Sequence, residues 1–260
     1  MDDQSVLITL GFLLVIAIFS HVIAWKTDLF IFLKTDLHKR HYPIVAGVLS
    51  TIAIACYLFQ VPFIPWYAPC ILLLAYFAIK ERDTFAYILK DKSTLPPTTY
   101  LKDALMGATI FIVAFPLLSF FQSFVEWILV SYFNMEVPKQ FFIDFIKQIR
   151  TNIPLVIFTF TLVCIIVPLY EEFLYRANIQ NWLRNYLPPF WAIFCTSLLF
   201  SISHFFTVDT IQGKCLIISS IFIASMYLGF AYERQRSLIS SFTFHALINT
   251  LTFVQALFID

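Results

Sequence analysis

Residues 153–176, IPLVIFTFTLVCIIVPLYEEFLYR, run eighteen positions without a charge, then present Glu171, Glu172 and, four residues after the second glutamate, Arg176. A bilayer core about 30 Å thick takes roughly 20 apolar residues in one helical crossing. The stretch therefore reads as a membrane helix with ionisable groups at its end, and lipid is the solvent in which the fold is built.

The rest of the chain agrees. Hydrophobic residues fill 60% of the 260 positions and charged residues 13%, with a mean hydropathy of +0.82. A soluble domain is closer to half apolar and a quarter charged. Charge-poor runs recur at 4–25, 43–60, 62–79, 104–125, 153–172, 189–206, 214–232 and 238–258. A membrane barrel would instead show segments of about ten residues with alternating character. The expected fold is all-α, a polytopic bundle of about eight transmembrane helices. The second and third runs, parted only near Gln60–Pro65, also fit a hairpin or a broken helix.

The N-terminus, Met1-Asp2-Asp3, has no basic region and no small-residue cleavage site after the first run, so it reads as a retained helix. The cysteines (Cys56, Cys70, Cys164, Cys195, Cys215) lie in apolar runs without paired spacing and are expected to be small buried hydrophobes. With the N-terminus outside, the cytoplasmic connections hold Lys26, Lys34, Lys39, Arg40, Lys80, Arg82, Lys90, Lys92, Lys102, Arg176, Arg184, Arg234 and Arg236. Outside remain Lys139, Lys147, Arg150 and Lys214. Positive residues favour the cytoplasmic side, so both termini are expected outside. The five tryptophans, Trp25, Trp66, Trp127, Trp182 and Trp191, fall near helix ends as interface anchors should.

Two segments do not span. Lys139–Arg150 (KQFFIDFIKQIR) places Phe142, Phe145, Ile146 and Ile149 on one face and reads as a helix lying in the interface. Residues 80–102, charged and containing Pro96-Pro97, form the longest cytoplasmic connection, a solvated linker or a substrate gate. One integral membrane domain is expected, with N-terminal helices and the interfacial helix in 1–150 and a catalytic core in 151–260. Neither the net charge of +1 nor any motif points to nucleic acid, and the sequence leaves the oligomeric state open.

Ionisable groups inside membrane helices cost about 2.5–3.5 kcal/mol at the helix centre, so grouped ones are informative. Glu172 and Arg176 share a helix face and can pair, as they also would at an ordinary interface. Glu171, rotated by one residue, is then free to act as a general base. Phe200-Ser201-Ile202-Ser203-His204 puts a histidine in the sixth run, where a hydrogen-bonded core role is the usual explanation. His245 and Asn249 share a face in the eighth, and interhelical hydrogen bonding explains them equally well. Together, on three helices, they make a water-activating set: a carboxylate to take the proton and imidazoles to bind a metal or polarise a carbonyl. Asn249 is placed to donate to an oxyanion. His21, His38 and His41 lack acidic partners and stand apart.

The three groups, Glu171-Glu172-x-x-x-Arg176, Phe200-x-x-x-His204 and His245-x-x-x-Asn249, resemble in order the EExxxR, FxxxH and HxxxN motifs of the CAAX prenyl protease and bacteriocin-processing (CPBP, Abi) family of intramembrane proteases. The stretch LGFAYERQRSLISSFTFHALIN (228–249) is similar to that family's approach to its last motif. The likeness covers roughly 155–257. It implies an eight-helix bundle with a polar cavity opening toward one side of the membrane, where Glu171 activates water, Glu172 and Arg176 support it, His204 and His245 complete the site and Asn249 helps hold the oxyanion. The implied partners are the bilayer and a peptide or protein substrate, and the implied location is the inner (cytoplasmic) membrane of a bacterium. Zinc is a candidate cofactor, with Glu171, His204 and His245 as ligands, although the same groups also work without metal. A non-catalytic immunity or scaffold protein on the same fold, or a small ion- or proton-coupled transporter, are the competing readings. Five glycines and no repeat between halves speak against transport.

Depth sets a condition. At 1.5 Å per residue, His245 lies about 10 Å along its helix, whereas His204, counted from residue 188, lies about 24 Å along its own. They meet if the sixth helix starts after Pro188-Pro189, with Pro-Pro-Phe-Trp in the interface, and the fifth runs to about Tyr186.

Overall fold

Backbone amides in lipid find no water, so an apolar run there must satisfy them internally as a helix. The computed structural model describes residues 3–32, 47–52, 55, 67–80, 82–89, 99–134, 141–205, 208 and 210–258. Among the described residues the regular elements are helices, with no strand. They are α1 (Asp3–Lys26), α2 (Tyr67–Lys80), α3 (Arg82–Leu89), α4 (Tyr100–Ser131), α5 (Phe141–Ile149), α6 (Ile153–Leu183), α7 (Pro189–Ser203), α8 (Ile211–Gln235) and α9 (Leu238–Phe258). Five of these, α1, α4, α6, α8 and α9, are long and apolar enough to cross a membrane; α2 and α7 are shorter apolar helices. The protein is an all-α integral membrane bundle. The run at 43–60 falls largely outside the described residues, with 47–52 helical, and the Gln60–Pro65 break lies wholly outside them.

Local chemistry sets the helix starts. Thr99 Oγ1 accepts from Lys102 N–H (3.3 Å) at the head of α4, Asn152 Oδ1 from Leu155 N–H (3.2 Å) at α6, and Thr210 Oγ1 from Gly213 N–H (3.2 Å) at α8. In the bundle α1 lies along α4, α4 packs on α8 and α9, α7 lies along α8, and α6 is enclosed by α7, α8 and α9. Gly107 of α4 lies so close to the Ser240 carbonyl of α9 that no Cβ fits between them. At Gly229 of α8 a Cβ would stand 2.9 Å from both Gln180 Oε1 and Ile193 Cγ2. Large apolar side chains such as Ile8, Phe12, Val15 and Phe19 point outward, as lipid-facing residues should.

Several expectations change. Ile146 and Ile149 of α5 pack on Cys164, Phe253 and Ala256, so this face is covered by the bundle; the Phe142 side chain is outside the described residues. Within 80–102, Arg82–Leu89 is helical and Leu89 packs against the core around Leu73 and Phe77, so part of this connection is folded. Cys164 is buried, but Cys195 and Cys215 are exposed on outward faces of α7 and α8. Helix α6 runs on to Leu183, close to the expected end, whereas α7 begins at Pro189 and not later. Arg176 and Arg236 are buried inside the bundle and drop out of the loop-charge comparison, which stays one-sided without them.

Candidate active site

Helix α6 carries the acidic pair, and it is not a uniform α-helix. Leu162–Ile166 and Phe173–Gln180 are π-helical and bracket the α-helical segment Val167–Glu172. A π turn adds a residue to the helical circuit and is often found at functional sites. Here the residues from Glu171 to Asn178 are all buried, which a regular amphipathic helix with one buried stripe would not allow.

Glu171 faces both histidines. Its Oε1 lies 3.8 Å from His204 Nε2 and its Oε2 lies 3.6 Å from His245 Nε2. The other ring nitrogens are already engaged. His204 Nδ1 lies 2.8 Å from the Phe200 carbonyl, and a carbonyl can only accept, so Nδ1 carries the hydrogen. His245 Nδ1 lies 2.9 Å from Glu172 Oε1, and an ionised carboxylate likewise accepts. Both imidazoles thus turn Nε2 toward Glu171, and this orientation is set by second partners behind the rings.

Behind His245 stands a fully buried chain. Glu172 Oε2 lies 3.3 Å from Arg176 Nε, and both side chains are inaccessible. Arg176 Nη2 donates to Ser225 Oγ (2.7 Å) and to the Ser225 carbonyl (3.2 Å) on α8. Its guanidinium carbon sits 4.7 Å above the Phe200 ring. Phe200 also meets Tyr175 and His204 edge-on, each with centroids 4.8 Å apart, and His245 at 6.0 Å. One ring therefore packs against both imidazoles and the arginine. Ser241, one turn before His245 on the same face, is buried and donates from Oγ to the Leu238 carbonyl (3.2 Å).

Glu171, Glu172, Arg176, His204 and His245 come together in one contiguous group. Asn249 is one turn past His245, and its Nδ2 donates to the Val163 carbonyl on α6 (2.9 Å). The sequence reading missed Ser225 and the positioning part of Phe200. Ser225 is one of several serines on α8 and carried no signal. His21, set aside for want of an acidic partner, holds Tyr227 Oη through Nε2 (2.6 Å) and the Ala17 carbonyl through Nδ1 (2.8 Å), away from this group.

As a metal site, the donor chemistry of Glu171, His204 and His245 is right and the spacing is wide. Two donors on one tetrahedral zinc at about 2.0–2.1 Å stand roughly 3.3 Å apart, against 3.8 and 3.6 Å here. No group of three or more His, Cys, Asp or Glu side chains among the described residues has metal-holding geometry.

No curated protein and no solved structure matches the chain significantly. A family model does match: residues 153–251, which include every residue of the site, are similar to the Rce1-like family, described as type II CAAX prenyl endopeptidase Rce1-like.

Proposed function

We propose that the protein is an intramembrane endopeptidase in which Glu171 activates water against a peptide bond of a peptide or protein terminus. The observation that supports this best is the pair of Nε2 atoms turned onto one glutamate, 3.8 and 3.6 Å from its oxygens. Those gaps are too long for direct hydrogen bonds and suit a small bridging molecule such as water.

Glu171 takes a proton from this water as its oxygen bonds to the carbonyl carbon and the carbonyl electrons move onto oxygen. The same proton passes to the amide nitrogen as the C–N bond breaks. A carboxylic acid and an amine leave, the second water proton staying on the acid until it passes to the amine, and Glu171 is again a carboxylate. His204 orients the water through Nε2. His245 is backed by the Glu172 carboxylate at Nδ1, so positive charge developing on its ring during oxyanion stabilisation is compensated in place. Arg176 pairs with Glu172 and ties it to α8 through Ser225.

The substrate we infer ends in a short C-terminal sequence after a lipidated cysteine, the class named by the matched family. The test uses full-length protein in nanodiscs with two quenched fluorescent peptides ending in Cys-aliphatic-aliphatic-X, one farnesylated at the cysteine and one not. Glu171→Gln should lower kcat by about 100- to 10,000-fold, the range lost with a general base. Cleavage that survives Glu171→Gln and His204→Ala would overturn the site. Cleavage absent from the wild type, with peptide binding retained, would favour the non-catalytic reading.

A further inference from the structure

The first π turn of α6 leaves one backbone carbonyl without a partner in its own helix. Val167 N–H reaches back to Leu162 O, so it is not given to Val163 O, its partner in a regular α-helix. In the π register that partner would be the next residue's amide. The next residue is Pro168, which has no N–H. In the π register adopted here no amide of α6 is given to Val163 O, and lipid offers no water in its place.

The last transmembrane helix supplies the missing donor. Asn249 Nδ2 lies 2.9 Å from Val163 O. This one side-chain amide of α9 ties the last helix to the wide turn of α6. Within the second π turn Asn178 Nδ2 donates to the Phe173 carbonyl (2.7 Å), five residues back. Between the two π turns lies Val167–Glu172, whose rotation about the helix axis decides where the Glu171 carboxylate points.

We propose that Asn249 is a positioning residue: its amide replaces the N–H that Pro168 lacks, holds the π turn open against α9, and thereby fixes the rotation at which Glu171 meets His204 and His245. This rests on Glu171 being the base, and it moves Asn249 from contact with the substrate's developing oxyanion to support of the helix that carries the base. Without the tie, the wide turn can close toward regular α-helix and carry Glu171 round with it.

The two roles separate in a rescue experiment, because a substitution at Pro168 can return the lost N–H to the backbone but cannot replace an oxyanion donor. Wild type, Asn249→Ala, Pro168→Ala and the double variant are compared in nanodiscs with the farnesylated quenched peptide, with Glu171→Gln as a separate arm. Asn249→Ala should lose about 100-fold in kcat, the scale of a 1 Å misplacement, with KM nearly unchanged. The double variant should regain most of the lost kcat. A double variant no faster than Asn249→Ala overturns the proposal and returns Asn249 to the oxyanion. If Asn249→Ala is too unstable to assay, Tm is the readout, and failure of Pro168→Ala to raise it counts equally against the proposal. A Glu171→Gln protein of undiminished activity would instead remove the assignment of the base, a result the rescue arm does not mimic.

Discussion

Of two adjacent glutamates, Arg176 pairs with Glu172 and leaves Glu171 to the histidines, and this division rests on a charge that is itself wholly buried. A buried pair is a weak source of net stability, but breaking one by removing a partner is costly, about 3–5 kcal/mol. Arg176→Ala should therefore lower stability by that order, read as a fall in Tm in detergent or as easier unfolding by denaturant, and should abolish cleavage. Ser225→Ala removes only the hydroxyl acceptor and leaves the Ser225 carbonyl in place, so a loss of about 1–3 kcal/mol is expected, again from Tm. Equal losses from the two substitutions would mean that Arg176 is held mainly by α8 and not by Glu172. The pairing of residues 172 and 176 could be read from their spacing alone, because i and i+4 share a helix face. Ser225 could not, since its partner lies 49 positions away and serine is common on α8.

At the scale of elements, the sequence made the apolar runs legible and hid the irregularities within them. The run at 153–172 announces a membrane helix through length and absence of charge. Nothing in its hydropathy shows that the helix contains two π turns, because a π turn changes which amide meets which carbonyl and not which residues are apolar. Pro168 was visible, but its consequence depends on Asn249 of another helix. Close crossings are similarly silent. Gly107 is one glycine in a 32-residue helix, yet the Ser240 backbone occupies the place its Cβ would take. The obstacle is main chain on α9, the helix that carries His245, and it cannot swing aside as a side chain tip could. Gly107→Ala should push α4 and α9 apart, cost about 1–3 kcal/mol as overpacking does, and reduce cleavage, whereas alanine at Gly11, where nothing lies near, should leave both unchanged. An unchanged Tm for Gly107→Ala, measured beside Gly11→Ala, would show that the crossing relaxes freely.

For the whole molecule, the site is assembled from α6, α7 and α9, whose ranges differ widely in where the reactive residue falls along the helix. The sequence demanded that they converge and suggested two adjustments. The extension of α6 to Leu183 holds; the late start of α7 does not. Part of the convergence comes from the turn between α8 and α9, where Arg236 and Ser237 are buried, with Arg236 Nη1 on Glu233 Oε2 (3.2 Å) and Glu233 Oε1 on Arg184 Nε (2.7 Å). A turn folded into the protein lets α9 begin inside the bundle, so His245 need not lie far along its helix to reach Glu171. The same burial refines the orientation argument, since charges engaged there no longer act as loop charges. What remains on that side, Lys26, Lys80, Arg82 and Lys102 among the residues at helix ends, still outweighs Lys147, Arg150 and Lys214 on the other. We therefore propose that both termini face away from the cytoplasm. Expressed in a bacterium, a C-terminal alkaline phosphatase fusion should be active and a C-terminal green fluorescent protein fusion dark. The reverse pattern would place the α8–α9 turn outside and overturn the assigned orientation, while leaving the geometry around Glu171 as it stands.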